Sequence, residues 1–547
     1  MNKRQRTKDK RQIVWLIFAF LIVAVYFFGL TIPLLGPDEP RYSQIAREMF
    51  ERGDWITPKL GGFDWFEKPA LLYWLQISSY KLFGVNEFAA RFGSALFGLG
   101  TIFSLWILGK SIPNSKFQIP NSKIETLNPE SGIWNLEFAN WLALIAASSI
   151  GLLAFARGAS FDIVLTFPIT ASLVCYFIFE IHLQKHYFCA VPRSIVFSKS
   201  TSAKLIAAAP PIIWAILLLF GFYFFIGIAL IAKGLVGIVF PLAIVFFYHL
   251  LKFELLPGRI FLVSLFWGTL LSLLIAAVWY VPMYQANGWK FVDDFFIQHH
   301  FQRFTSDKYQ HHQPFWFFFL VLPLMTIPWL PFFIASLWDF LKVQGSRFKV
   351  QGSALSTQHS ALSLFAFAWL AVPLVFFSLS GSKLPGYILP SLPGALVLTA
   401  IYVCKFVNES ESKKRVVQIA AASVFVLTFV GLRFFAADYI KPETVKYMIE
   451  TVDAKGFADA KFVSLYTVSH NLEFYAAGRL EREADGKLKR FDDFSVLVGE
   501  IKKNGGERVL VVVPQETVAN LRKENDSAEI EMLAENGDSA IILVKPK

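Results

Sequence analysis

Runs of roughly 20 apolar residues, almost without charge, recur along most of the chain, and each is long enough to cross a hydrocarbon core of about 30 Å as a helix. No water is present in such a core to pair with a backbone N–H or C=O, so a spanning segment must be a helix or part of a closed barrel. Unbroken apolar runs exclude the barrel, whose strands alternate in character. Composition agrees: 55% of the 547 residues are hydrophobic and 17% are charged, against about a quarter charged in soluble domains. The chain reads as a polytopic, all-α membrane protein surrounded by membrane lipids.

A net charge of +11 would suit a nucleic-acid binder, but its placement argues against one. Lys and Arg gather at the N-terminus (MNKRQRTKDKR) and in particular short loops, as the positive-inside rule requires. No nucleic-acid partner is expected. The run from Ile13 to Leu35 is longer than the core of a signal peptide, and no small-x-small site precedes Pro37-Asp38, so it reads as an uncleaved first helix. Further helices are expected near 91–109, 137–155, 162–183, 207–230, 231–251, 259–281, 314–337, 361–379, 387–406 and 416–436, about eleven spans with room for thirteen. Lys110, Lys116 and Lys123, then Lys185, Arg193, Lys199 and Lys204, then Lys342, Arg347 and Lys349, then Lys413, Lys414 and Arg415 fall on one side of this alternation. That puts the N-terminus in the cytoplasm and, with an odd helix count, the C-terminal segment outside it. Cys175, Cys189 and Cys404 lie in or beside apolar segments at unrelated spacings, so neither a metal motif nor a structural disulfide is expected.

Two organisational features interrupt the helices. A polar stretch from Gly36 to about Glu87 interleaves aromatic and charged residues and is expected to form amphipathic helices in the outer interface. Two inner loops carry heptapeptide repeats, PNSKFQI-PNSK from Pro113, and KVQGSRF-KVQGS with SALSTQH-SALS from Lys342. No apolar seam is sustained, so about 111–131 and 342–360 read as inserted linkers rather than coiled coil. From Lys441 the composition turns soluble. The runs FVSLYTV, VLVVVP and AIILVK read as strands among helical stretches, giving a small α/β domain. The chain thus divides into a membrane domain, 1–440, that includes the outer loop 36–87, and an extracytoplasmic domain, 441–547.

Polar clusters map to one side of the membrane: Asp38 to Tyr42, Trp65 to Pro69, Arg157 to Asp162, Lys233 within IAKGLVGIVFP, His299 to Phe304, and Ser380 to Tyr387. Each has an ordinary reading. Asp38 and Glu39 suit a helix N-terminus, Glu67-Lys68 a solvated pair, Asp162 a cap, and Lys233 a snorkelling lysine. Convergence of ionisable groups at one membrane face instead points to a site. Lys68, Lys233, Arg303 and Lys383 could bind a phosphate, Asp38 and Asp162 could receive a proton, and Glu67 with a histidine could hold a divalent metal. The residues alone fit an enzyme or a transporter for an anionic, lipid-borne substrate; a transporter would show midplane charges and repeated halves, and neither is visible.

DEPRYSQIAREMFERGDWITPKLGGFDWFEKPALLYW resembles the first outer loop of the lipid A aminoarabinose transferase family, which belongs to the GT-C membrane glycosyltransferases and is related to the protein O-mannosyltransferases. HFQRF…QHHQPFWFF, the KG pair at Lys233 and SKLPGYILPSLP also match it, so the resemblance covers roughly 10–400. It implies an inverting glycosyltransferase that takes sugar from a polyprenyl phosphate donor at the outer face of the cytoplasmic membrane. The acceptor would be lipid A-like, or a protein in the related branch. By the same resemblance Asp38 is the catalytic carboxylate and Asp162 the second acid, and Glu39 beside Asp38 is placed with them among the catalytic residues. Lys68, Arg303 and Tyr387 grip the donor phosphate, Lys233 lines the same cavity, and Glu67 and His300 hold a divalent metal, zinc. KGL in place of the family's usual KGP is a departure.

Overall fold

The computed structural model describes residues 3–112, 136–189, 201–254, 256–302, 313–349, 358–440, 444–503, 505, 508–524 and 527–547. All eleven apolar segments of the sequence are helical there. Seven are long and apolar enough to span, two are bent pairs, and two, Arg11–Phe27 and Val236–Leu251, are shorter. This is a multi-pass membrane protein. Contacts divide it into two compact units: Met1–Phe28, Glu67–Leu72 and Ser94–Leu427 form the first, and Gly29–Phe66, Tyr73–Gly93 and Thr428–Lys547 the second.

The first unit is helical. The first helix, α1 (Lys3–Phe27), stops well before Leu35, the end expected from hydropathy. Gly29 follows with a positive φ, and the chain leaves the helix there. The apolar segment at 137–155 is not one helix but two, α5 (Leu136–Ala147) and α6 (Ile150–Ala156), bent by 64°. The segment at 314–337 likewise divides into α11 (Phe317–Met325) and α12 (Leu330–Lys349), bent by 116°. The two breaks satisfy each other. Ile150 N donates to Ile327 O at 2.8 Å, and Trp329 Nε1 donates to Ser148 Oγ at 3.1 Å. Broken helices survive in a membrane where protein supplies the partners that water would otherwise give. A neighbouring consequence is that the second heptapeptide region is partly helical, since α12 runs to Lys349, while 113–131 lies outside the described residues.

The helices α7 (Phe161–Cys189), α8 (Thr201–Lys233), α9 (Val236–Leu251) and α10 (Arg259–Val292) pack in sequence, with α8 touching both α7 and α10. Helix α13 (Gln358–Ser378) packs on α9 and on α14 (Leu392–Val407). Small residues allow the close approach: a Cβ on Gly221 would lie 2.9 Å from Cys175 Sγ, and one on Gly394 would lie 2.7 Å from Ala366 O. A buried polar network ties α7 to α9. His249 bonds Tyr176 Oη through Nε2 and Glu254 Oε2 through Nδ1, both at 2.6 Å, and Lys252 bridges Glu180 and Glu254 at 3.0 Å each. Glu180 lies eighteen residues after Asp162 on α7, a helical rise of about 27 Å. The network therefore clamps the far end of the helix that carries Asp162.

The second unit holds α2 (Asp38–Arg52), the hairpin β1 (Lys59–Leu60) and β2 (Phe63–Asp64), α3 (Leu71–Phe83) in part, and the C-terminal sheet. Helices are present where the 36–87 stretch was expected to form them. The sheet has five strands in the order β4-β3-β5-β7-β6: β3 (Phe462–Leu465), β4 (Arg490–Phe491), β5 (Val509–Pro514), β6 (Ala528–Glu535) and β7 (Ser539–Pro546). The expected strands in FVSLYTV, VLVVVP and AIILVK are β3, β5 and β7. The other two escaped because β4 is two residues long and β6 alternates apolar residues with acids. Central strand β5 buries both faces: Val511 and Val513 pack towards Leu497 and Val518, Leu510 and Val512 towards Met448 and Leu472. A buried carboxylate fastens the hairpin. Glu48 accepts from Gly61 N at 2.8 Å, Gly62 N at 3.1 Å and Gln44 Nε2 at 3.0 Å, while Gly61 O accepts from Leu488 N at 3.0 Å. The tight turn needs glycine, because Gly62 has a positive φ and a Cβ there would meet Gly486 O at 2.7 Å.

Candidate active site

In the first unit, three of the expected residues meet. Asp162 stands in the first turn of α7, where Ser160 Oγ accepts from its backbone N at 3.1 Å. Lys233 is the last residue of α8, and its Nζ donates to Asp162 Oδ1. The KG pair has a backbone reason: Gly234 takes a positive φ and turns the chain from α8 into α9. Tyr387 lies in a short helix, Pro385–Ser391, with its ring 4.8 Å from Lys233 Nζ and 5.6 Å from the Phe377 ring. A cation over a tyrosine face gains about 0.5–2 kcal/mol, more as water leaves. Gly386 makes the meeting possible. A Cβ on it would fall 1.9 Å from Asp162 Oδ2, so no other residue fits without displacing that carboxylate. The cluster pairs an acid, a cation and a phenol on three separate elements.

Three further expected residues with described side chains belong to the same unit. Glu67 and Lys68, both largely buried, pair at 3.0 Å, Lys68 Nζ to Glu67 Oε1. Lys383 is 7% exposed, and its Nζ donates to Ser380 O at 2.6 Å. His300 lies on a helical turn whose side chain there, like the whole of Arg303, falls outside the described residues. Glu67 is thus the one described member of the expected metal pair, and its carboxylate already meets an ammonium group. Among the described residues, which leave out the His300 side chain, no group of three or more His, Cys, Asp or Glu side chains is placed to hold a metal ion.

In the second unit, Asp38 opens α2, where a carboxylate is favoured by the helix dipole. Its side chain is 49% exposed and pairs with Arg41 one turn on, whose guanidinium lies over the rings of Tyr42 at 5.3 Å and Trp65 at 5.8 Å. Glu39 differs from the expectation. Both its oxygens are engaged by Arg91, Nε at 2.9 Å and Nη2 at 2.6 Å, and Oε2 also accepts from Leu35 N at 2.8 Å. Arg91 is 1% exposed and donates as well to Leu30 O and Pro33 O at 2.9 Å. A carboxylate so occupied holds the chain before α2 in place, and breaking such a largely buried pair costs about 3–5 kcal/mol. Arg157, which opens the polar cluster that ends at Asp162, has a backbone role. It donates to Val25 O and, at 2.6 Å, to Phe28 O, closing the carbonyl end of α1.

The second unit holds α2 from several sides. Tyr475 Oη accepts from Leu34 N at 2.8 Å, Arg47 donates to Phe474 O at 2.8 Å, and Lys446 pairs with Glu87 at 2.6 Å. Burial pushes the Tyr475 hydroxyl well above the ordinary tyrosine range. At the hairpin side, the Glu500 carboxylate beside Lys489 raises the ammonium pKa. Arg91 and Glu48 are not singled out by sequence reasoning, and Arg41 enters it only as a member of the Asp38 to Tyr42 cluster. For Arg91 a signal existed: a lone arginine at the head of an otherwise apolar helix, FAARFGSALF, demands buried acceptors.

Residues 12–117 match the family described as dolichyl-phosphate-mannose-protein mannosyltransferase. The chain is similar to the undecaprenyl phosphate-α-4-amino-4-deoxy-L-arabinose arabinosyl transferase of Yersinia enterocolitica, 26% identical across 84% of this chain and 73% of that protein. The proteins of the same description from Serratia proteamaculans and Proteus mirabilis are 29% and 28% identical across 72% and 71% of this chain. These matches span 61% and 59% of those two relatives, so the chain covers about three fifths of their length. Among solved structures, ArnT from Cupriavidus metallidurans bound to undecaprenyl phosphate superposes with a TM-score of 0.71 at 20% identity, covering 96% of this chain and 97% of that one. Its apo form gives 0.69 at 19%. The fold is that of these proteins.

The contact at Gly386 is directly testable. Gly386→Ala should lower the thermal midpoint of the detergent-purified protein, by a loss of about 1–3 kcal/mol for overpacking. Adding Asp162→Ala to it should recover part of that loss, because the crowded carboxylate is then gone. A single variant as stable as the parent would mean that the loop has room the geometry denies.

Proposed function

We propose that this chain, lipid A aminoarabinose transferase-like in sequence and GT-C in fold, is an inner-membrane glycosyltransferase that moves a sugar from a polyprenyl phosphate donor to a lipid A-like acceptor. The observation that carries this reading is a likeness to arabinosyl transferases along 84% of the chain, with the same fold along 96% of it. A basic and phenolic cluster in the membrane unit is the chemistry that such a donor needs. A protein acceptor is the second reading, favoured by the mannosyltransferase match over 12–117.

The transfer breaks the bond between the anomeric carbon and the donor phosphate oxygen, and forms one from that carbon to an acceptor oxygen on the opposite face. The departing lipid phosphate takes the bonding electrons, so stabilising its charge is the main catalytic task. Lys68, Arg303 and Tyr387 are the residues proposed to grip that phosphate, and Lys233 lines the same cavity. Lys233 is kept in register by Asp162, the second acid, which also keeps the resting pair neutral. Asp38 is proposed to orient the acceptor or to take its proton. A phosphate acceptor has no proton to lose, whereas a hydroxyl does. Glu39 is left out of the chemistry for the reason given above.

Removing the Asp38 carboxylate should be the most damaging conservative change. Asp38→Asn is expected to insert and purify normally and to lose transfer by about 10²–10⁴-fold, the range for general acid–base groups. Turnover near that of the parent would remove Asp38 from the reaction.

For orientation, the N-terminus is assigned to the cytoplasm and the C-terminal domain to the far side, on the Lys and Arg content of alternate loops. An alkaline phosphatase fused after Lys547 should be active and a cytoplasmic reporter at the same point silent. The reverse pattern would invert the topology.

A divalent metal, zinc by the family resemblance, is proposed for Glu67 and His300 as a resting-state ligand, and no step above passes through it. Carboxylate and imidazole both suit zinc and would leave positions open. Elemental analysis of the purified protein should find bound zinc that Glu67→Ala and His300→Ala each remove. Metal-free parent protein would leave Glu67 as the partner of Lys68 alone.

A further inference from the structure

Three lysines of the first unit were candidates for phosphate binding, and the structure separates them by charge. Lys233 is neutralised by Asp162, and Lys68 by Glu67. An incoming phosphate at either must compete with a resident carboxylate. Lys383 has no such partner. Among the described residues no carboxylate lies within ion-pair distance of it, and its Nζ is held by the Ser380 carbonyl at 2.6 Å. An ammonium group carries three donors, so one is used and two remain.

Two serines within five residues of Lys383 in the chain carry a deficit as well. Ser382, 4% exposed, and Ser378, 2% exposed, have buried hydroxyl oxygens with no hydrogen-bond partner among the described residues. Ser380 Oγ donates to Ser382 O at 3.2 Å, which folds the loop back on itself. Burying an uncompensated ammonium costs several kcal/mol and burying an unpaired hydroxyl about 1–3 kcal/mol. Native proteins tolerate such a cluster where a ligand completes it. An acceptor with negative charge would complete the cluster best, since lysine offers only donors and hydroxyls can turn theirs outward.

Position ties this deficit to the reacting cluster. Three residues after Lys383 comes Gly386, seated against Asp162, and the next residue is Tyr387 beneath Lys233. Three residues of chain span at most about 11 Å. We infer that Lys383, with the hydroxyls of Ser382 and Ser378, is an oxyanion subsite that takes a phosphoryl group of the substrate beside the Asp162–Lys233–Tyr387 cluster. The inference rests on the glycosyl-transfer reading, in which two phosphates can arrive: that of the lipid donor and one carried by the acceptor.

The test uses the full chain in lipid nanodiscs, with Lys383→Met, which keeps length but not charge, Lys383→Arg, which keeps charge, and Ser382→Ala. Undecaprenyl phosphate is the probe for the donor arm, and a phosphorylated lipid A is the probe for the acceptor arm. Lys383→Met should weaken one of the two by about ten- to a hundredfold, as losing a charge-assisted hydrogen bond does, with Lys383→Arg largely restoring it and Ser382→Ala giving a smaller loss. Loss of undecaprenyl phosphate affinity assigns the subsite to the donor. A raised KM for phosphorylated lipid A with donor affinity intact assigns it to the acceptor.

The same experiment separates the inference from the reading beneath it. Parent protein that binds neither lipid fails the glycosyltransferase reading itself. Parent protein that binds and turns over, beside a Lys383→Met form equal to it in both arms, overturns the subsite alone. Ligand-free stability guards against a purely structural lysine: removing an uncompensated buried charge should leave the thermal midpoint unchanged or raised. A midpoint that falls, with affinities unaltered in Lys383→Arg and Ser382→Ala, would also overturn it.

Discussion

In a hydrocarbon solvent every backbone group and every charge must find its partner within the protein, and the arrangement of both units answers to that requirement. The bends in two apolar segments are held by a hydrogen bond from one break to the other, Ile150 N to Ile327 O. The carbonyl end of α1 is closed by Arg157, and the segment before α2 by Arg91 with Glu39. The charges that a reaction needs are managed by the same rule. Asp162 and Lys233 neutralise each other across two packed helices, so neither is stranded when substrate is absent.

A reaction on a lipid phosphate then becomes a matter of exchanging partners. Lys68 and Lys233 each keep a carboxylate partner, and in the proposed reaction an arriving anion would compete with it. Lys383 and the buried serines near it stand outside that balance, and their unmet hydrogen bonds mark where a substrate anion would contribute most. The His249–Tyr176–Glu254 network, a membrane's thickness along α7 from Asp162, serves neither step. It ties α9 to α7, the helix that carries Asp162.

The second unit adds rigidity to a segment that could not hold itself. Helix α2 has an amphipathic surface and acids at its first turn, but its position depends on Arg91 against Glu39, the Gly61 turn against Glu48, and Phe474 and Tyr475 against Arg47 and Leu34. The C-terminal sheet and the outer loop share one unit for this reason, although composition alone divides them at about residue 440.

By itself, the sequence determined the solvent of the protein, its helical class, the location of nearly every apolar helix, and the α/β character of the C-terminal end. These follow from local periodicity and run length, which need no knowledge of neighbours. The pairing of Asp162, Lys233 and Tyr387 was legible only as three polar clusters sharing a membrane face, because residues separated by up to 225 positions have no local signature of contact. Tertiary structure alone decided that Glu39 is an anchor, that two apolar segments are bent pairs, and that Gly386 is there to make room for a carboxylate. A carboxylate reads the same in a sequence whether it faces an arginine or a substrate. Which of the two it meets is settled by packing, where the cost of an unmatched buried charge selects the partner.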